Sequence, residues 1–232
     1  MPTAPLSVIV PDQIWEAGSQ LKMLPGLWLP TRMTVLRLAE NKLALHSPIP
    51  MDDALAAEIS KLGEVTLIIA PNNYHHLALP KAIKRFPNAE VWGSPGLPKK
   101  RPDVVFTGIL DKGAKPTWAD VLTPFFLEGA PSMSETVFIH RPSKTLIVVD
   151  SLFNLHTVKN AFSRFMFRVT SSYGKTAQSR IWRHTVKDKK AMAASTKPLL
   201  SEDFDRVIVS HGDTVTENAK ATFANAAAWL YK

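Results

Sequence analysis

The stretch that most constrains this chain is residues 65–77, VTLIIAPNNYHHL. Val65 to Ala70 is a continuous apolar, β-branched run between Gly63 and Pro71, the pattern of a strand buried on both faces. Pro71 has no N–H to offer a ladder, so the strand is predicted to stop there. Pro71, Asn72 and Asn73 then make a turn, with Tyr74, His75 and His76 at its exit. Beyond it, the spacing of Leu77, Ala82, Ile83 and Phe86 predicts a helix with those residues on its inner face. Two adjacent histidines therefore stand on a loop at the carboxyl end of a buried strand, where open α/β architectures bind ligands. Imidazole is the commonest side-chain metal ligand and a strand end holds it rigidly; two solvated turn histidines are the alternative reading.

The rest of the chain must supply partners for such a site. With 232 residues it can bury a substantial core, and the element order predicts one domain over 1–232. The absence of cysteine excludes disulfides, zinc–thiolate sites and thiol nucleophiles, and fits a cytoplasmic protein. The start has no signal-peptide pattern and no run approaches the length of a membrane helix, so a soluble chain without a membrane partner is expected. A net charge of +8 favours acidic partners, but the lysines are scattered and no nucleic-acid motif occurs, so nucleic acid is not expected.

In chain order, residues 1–13 read as an irregular, proline-punctuated arm and Ile14 to Lys22 as a first strand. Residues 23–30 (MLPGLWLP) read as a loop with an apolar tip. Met33 to Leu38 and Leu43 to His46 read as a hairpin, and Asp52 or Asp53 can cap a helix to about Leu62. After the His-His loop, Ala89 to Trp92, Val104 to Phe106 and Leu122 to Leu127 read as short strands, with residues 93–102 a loop. Thr136 to His140 and Thr145 to Asp150 flank a four-residue hairpin turn. Helices are predicted over 158–169, 177–194 and 216–230, the last capped by Thr216 or Thr214. Between the last two, Asp205 to Gly212 reads as a short buried strand ending in His211.

Three buried strands thus end in groups able to bind metal: His75 and His76, then Asp150, then His211. Three nitrogens and one or two carboxylate oxygens suit zinc, and also iron or manganese. Singly, Asp150 also reads as a turn-capping carboxylate and His211 as a loop histidine.

The order of elements and these three motifs resemble the metallo-β-lactamase fold, a four-layer αββα sandwich of metal-dependent hydrolases. PNNYHH at 71–76 falls where that superfamily has H-x-H-x-D-H; TLIVVDSLF resembles its bridging-aspartate strand and IVSHGD its terminal histidine strand. The chain is similar to a branch known mainly as a domain of unknown function. Pro71 and Asn73 stand at the first two histidine positions and Pro131 at a third, so the resemblance implies that one of two metal sites is absent. His76, Asp150 and His211 match the other site, with His75 in place of its aspartate. The resemblance implies at most one divalent metal and a metal-dependent hydrolase acting on a small molecule. His46, where the family usually has an aspartate, and Asn73 stand as neighbours of the site, His46 as an orienting or general-acid group or as a hydrogen-bonded loop histidine. The competing reading is a non-catalytic protein that binds a small ligand or a partner chain on a degenerate hydrolase fold. Arg164 with Arg168, and Arg180 with Arg183 and Lys187, share helix faces, which favours an anionic substrate if those helices overhang the site. Otherwise they are solvated basic faces.

Overall fold

The computed structural model describes residues 4–232. Its first half is a seven-stranded sheet: β1 (Ser7–Val10), β2 (Ile14–Leu24), β3 (Leu27–Ala39), β4 (Lys42–His46), β5 (Glu64–Ala70), β6 (Glu90–Gly93) and β7 (Gly108–Ile109), in that spatial order. The strands β1 to β4 pair antiparallel, whereas β4 to β7 run parallel. Parallel neighbours need crossovers, and α1 (Asp53–Leu62), α2 (Leu79–Arg85) and α3 (Leu97–Lys100) lie in them. Asp52 caps α1 through its side chain, accepting from the Leu55 N–H at 2.9 Å.

The second half is a four-stranded sheet in the order β13 (Arg206–Val209), β10 (Thr145–Val148), β9 (Thr136–His140), β8 (Leu122–Phe126). Only β10 and β13 pair in parallel there. A small pair, β11 (Phe153–Asn154) and β12 (Thr176–Ala177), stands beside it. The helices α4 (Ala161–Val169), α5 (Arg180–Thr185), α6 (Lys189–Ser201) and α7 (Ala219–Ala227) complete the chain, with a closing 3-10 turn at Ala228–Tyr231.

Strand periodicity turns these elements into four layers. In the second sheet Phe138, Ile147 and Ile208 face the first sheet and meet Ile14, Leu36, Leu67 and Ile69. Their strand neighbours Val137, Leu146, Val148 and Val207 point the other way, under Trp182, Met192, Leu199 and Phe223 of the α5–α7 layer. On the far side of the first sheet, Leu43, Leu45 and Ile68 meet Leu55, Ile59 and Leu79. Thr66 is the extra residue of a β-bulge against β4, which is why Val65 and Ile68, three apart, share that outer face. The result is the expected αββα sandwich.

Several local expectations give way to pairing energetics. The proposed arm contains β1, which zips onto β2; residues 1–3 lie outside the described residues. Residues 23–30 are not a loop: β2 and β3 run through them, and only Pro25 and Gly26 turn, with Gly26 at a positive φ of 79°. Leu77 is exposed, and Leu79 and Ala82 are the buried residues of α2, which carries Pro80 in its first turn. Residues 97–100 form the short helix α3, and the edge strand after it is Gly108–Ile109, not Val104 to Phe106. The helix predicted over 177–194 breaks at 186–188, where Asp188 caps a new helix by accepting from the Ala191 N–H at 2.9 Å. At the last helix Asn218, with a φ of 48°, holds the cap position rather than Thr214 or Thr216.

Candidate metal centre

Two parallel pairs, β4/β5 in one sheet and β10/β13 in the other, place four carboxyl ends at one edge of the sandwich. The first pair delivers Ser47 and His75; the second delivers Asp150 and His211. One ligand atom from each of His75, Asp150 and His211 lies within 4.8 Å of the others, making a compact triad. His75 Nε2 is 3.4 Å from one Asp150 oxygen, and His211 Nε2 is 3.2 Å from the other. The His211 side chain is 2% exposed, and Phe153 stacks on its ring at 4.9 Å.

The remote nitrogens fix which face of each ring points inward. His211 Nδ1 lies 2.7 Å from the Pro30 carbonyl, which can only accept, so this nitrogen carries a proton. In the neutral ring Nε2 then presents a lone pair to Asp150. His75 also turns Nε2 toward Asp150, with Nδ1 2.6 Å from Ser47 Oγ, a hydroxyl that can donate or accept and so orients the ring without fixing its tautomer. The Pro30–His211 contact is the pattern by which outer partners set the tautomer of metal-binding imidazoles. Burial acts to raise the Asp150 carboxyl, but when a proton rather than an ion lies between the rings and the carboxylate, the charge of His75 and hydrogen bonds from His211 and His75 outweigh it. They hold the group well below the usual carboxylate range.

Three residues that sequence reasoning passed over build the frame. Asn72, fully buried, accepts the Tyr74 and His75 N–H groups at 2.9 Å each and donates to Asp150 Oδ2 at 2.7 Å. One amide thereby shapes the turn that carries His75 and ties it to Asp150. Glu135, 2% exposed, lies under the Asp150 turn and accepts from the Val149 N–H (3.0 Å), the Asp150 N–H (3.2 Å) and Ser151 Oγ (2.7 Å). Burial pushes its carboxyl up to about 7, and the charge of Asp150 pushes the same way. Ser47, at a positive φ of 57°, is held by its N–H to the Ile69 carbonyl. The one clue available to Glu135 was its place: a carboxylate directly ahead of β9, whose Val137, Phe138 and Ile139 form an apolar run.

Gly212 adds a backbone constraint. Its φ is 116°, and a Cβ there would lie 2.0 Å from the Asn154 carbonyl oxygen. Asn154 in turn donates its N–H to the His211 carbonyl at 3.0 Å, so the loop holding His211 is clamped against β11.

The remaining expected site residues lie apart from the triad. His76 is buried, but its Nδ1 is 3.4 Å from Arg101 Nη1, and the same guanidinium donates to the His76 carbonyl at 3.2 Å. Burial and the charges of Lys100 and Arg101 lower its pKa. Successive side chains in a turn diverge, so His75 and His76 do not aim at one point. Asn73 fills the neighbouring half: its Oδ1 accepts from Ser94 Oγ at 2.7 Å, and its Nδ2 donates to the Ser132 carbonyl at 3.2 Å. Pro71 joins that half through its carbonyl, which accepts the Thr136 N–H, and Pro131 through its own, which lies 3.4 Å from Asn73 Nδ2. His46 is 1% exposed, edge-on to Phe138 at 5.3 Å, and neither of its ring nitrogens has a partner among the described residues. Burial first, and the charge of His75 second, lower its pKa to about 3.

This layered fold, with a candidate metal-binding group at its edge, is the metallo-β-lactamase fold. Among solved structures the chain is similar to a metallo-β-lactamase from Pontibacter korlensis, with 14% identity, a TM-score of 0.64 and 98% of each chain covered. It is similar to one from Hirschia baltica, with 12% identity, a TM-score of 0.65 and 97% and 98% covered. A third is the FIM-1 metallo-β-lactamase from Pseudomonas aeruginosa in its mono-zinc form, with 12% identity, a TM-score of 0.64 and 99% and 96% covered. By sequence the chain belongs to the family described as Domain of unknown function (DUF4336), which it matches over residues 11–193. No curated protein matches it.

Two outcomes follow from the buried charges. Glu135→Ala leaves three donors unpartnered and should cost about 3 kcal/mol or more in chemical denaturation, whereas Glu135→Gln, which keeps one carbonyl acceptor, should cost less than half of that. Equal effects of the two would contradict the hydrogen-bond account. His46 has a folded pKa below its unfolded value, so the unfolded chain takes up the extra proton between 6.5 and about 3. Its share of stability is therefore lost as pH falls through that window. Glu135 acts with opposite sign, losing stability as pH rises from 4.5 to about 7, so the comparison is made against wild type. His46→Leu should raise stability by about 1–2 kcal/mol at neutral pH by removing two unpartnered nitrogens, and by more at about pH 5. A loss of stability at both pH values would show that the ring has a bonding partner.

Proposed function

We propose that the chain is a mononuclear metal-dependent hydrolase whose ion is held by His75 Nε2, His211 Nε2 and the Asp150 carboxylate. The observation that carries this reading is the convergence of two imidazole Nε2 atoms on one carboxylate. The donor set fits an ion: one ligand atom from each residue lies within 4.8 Å of the others, and the two Asp150 oxygens stand 3.4 Å from His75 Nε2 and 3.2 Å from His211 Nε2, where ligands on one tetrahedral ion lie roughly 3.3 Å apart. Zinc suits two nitrogens and one oxygen best, with iron and manganese as alternatives. Three protein ligands leave a fourth position open, as in catalytic rather than structural sites. His76 is left out of this set because its ring faces Arg101.

A bound ion of this kind supplies Lewis acidity and activates water at the open position. The chain's own residues do the rest. Pro30 holds His211 in the binding tautomer, Ser47 orients the His75 ring, and Asn72 and Glu135 fix the carboxylate between them. The substrate is read as a small molecule reaching that edge.

A second reading, a ligand-binding protein on a hydrolase fold, draws on one observation. Asn73 and its bonds to Ser94 and Ser132 occupy the half where the superfamily's other histidines belong.

Metal stoichiometry and affinity test both. Wild type is expected to bind one zinc per chain. Asp150→Ala and His211→Ala should each weaken binding by at least about 100-fold, while His76→Ala and Asn73→Ala stay within a few-fold. Absence of metal binding by the wild type overturns the hydrolase reading. Tight binding without turnover on ester, amide, thioester and phosphodiester panels favours the second.

A further inference from the structure

The exposed large apolar side chains of this molecule are unevenly placed. Of the eleven among the described residues, Met23, Leu24, Phe162, Phe165, Val169 and Ile181 belong to one region, the β2–β3 hairpin tip with α4 and the start of α5. They are physically joined. Asn160, the cap of α4, donates to the Gly26 carbonyl at 3.0 Å, and a Cβ on Gly26 would touch Phe162 at 3.4 Å. At the other end the Arg180 N–H reaches the Thr170 carbonyl at 2.8 Å and its guanidinium the Val169 carbonyl at 3.2 Å, which ties the start of α5 to the end of α4. Along α4, Phe162, Phe165 and Val169 are spaced i, i+3, i+7, so they form one stripe, while Ser163 and Phe167 face inward. Inside the protein the ridge rests on a separate cluster, Leu27, Leu29, Phe153, Leu155 and Phe167. The outward stripe is thus surplus to core packing.

Charge singles out the same region. Residues 151–187 contain seven Lys or Arg and no Asp or Glu. Arg164, Arg168, Lys175, Arg180 and Arg183 are all exposed there. Among the described residues none of these five stands in an ion pair. Phenylalanines on one face with arginines beside them are the composition of a helix lying in a bilayer interface, where apolar insertion and attraction to anionic headgroups add.

We propose that the ridge formed by the β2–β3 hairpin tip and α4 docks this protein on the surface of an anionic lipid bilayer. A second copy of the chain is the poorer occupant, because a two-fold contact sets this patch on itself and opposes the same arginines. An acidic protein would need a hollow shaped to a protruding hairpin and helix, whereas a bilayer interface conforms to a ridge. Docking of this kind needs no spanning segment, and no helix among the described residues is long and apolar enough to span. It sets aside the expectation of no membrane partner, which rested on signal-peptide and spanning patterns and not on surface docking.

Vesicle co-flotation of the full chain tests the proposal, using phosphatidylcholine vesicles with and without phosphatidylglycerol. Binding is expected only with phosphatidylglycerol and should weaken with added salt. The exposed double variant F162S/F165S should keep its melting temperature and lose binding by about tenfold or more. R164E/R168E should lose binding comparably. Reversing the same number of charges on α2, K81E/K84E, should leave binding within about twofold, which separates the ridge from the net charge. The proposal is overturned if wild type ignores anionic vesicles, or if K81E/K84E weakens binding as much as R164E/R168E. It is likewise overturned if the chain sediments as a dimer that F162S/F165S dissociates, or if it binds an acidic protein through these residues but no vesicle.

Discussion

The structure turns on a problem of lone pairs. The Pro30 carbonyl can only accept, so it fixes the His211 proton on Nδ1 and leaves Nε2 facing the oxygens of Asp150. His75 meets the same carboxylate from the other sheet. Electron-rich atoms at 3.2 and 3.4 Å repel unless a positive centre lies among them, and that centre is either a proton or a metal ion. The metal reading accounts for the His211 tautomer, the orientation of both rings and the shared carboxylate together.

Much of the surrounding fold keeps that arrangement in place. Parallel pairing within each sheet brings four carboxyl ends to one edge, and the interlayer core of Phe138, Ile147, Ile208, Leu67 and Ile69 sets the distance between the sheets. Asn72 and Glu135 then convert that coarse approach into a fixed site, one by shaping the His75 turn and the other by holding the Asp150 turn from beneath. Gly212 lets β11 press against the His211 loop more closely than any side chain would allow. Each of these groups is buried and has its bonds inside the protein, so the edge is rigid before any ligand arrives.

The layers and the strand ends were legible in the sequence because burial on both faces makes β5, β9, β10 and β13 near-continuous apolar runs. His75, Asp150 and His211 could be read from where those apolar runs stop. His76 could not be excluded by the same reading, since adjacency in sequence does not say which of two successive side chains turns inward. Asn72 and Glu135 were missed for a different reason: a buried polar residue is defined by partners 78 and 15 positions away, and no local pattern encodes them. Long-range pairing also explains the failures in the first strands, where MLPGLWLP has loop-like composition yet is held straight by its neighbour in the ladder. The break at 186–188 was hidden because the basic residues on either side continue a helical spacing.

The most direct measurement is anomalous diffraction at the zinc absorption edge from crystals grown with zinc. The account predicts one peak per chain, bonded to His75 Nε2, His211 Nε2 and the Asp150 carboxylate, with the His76 ring still turned toward Arg101. Two peaks, a peak ligated by His76, or an empty triad in zinc-saturated crystals would contradict it.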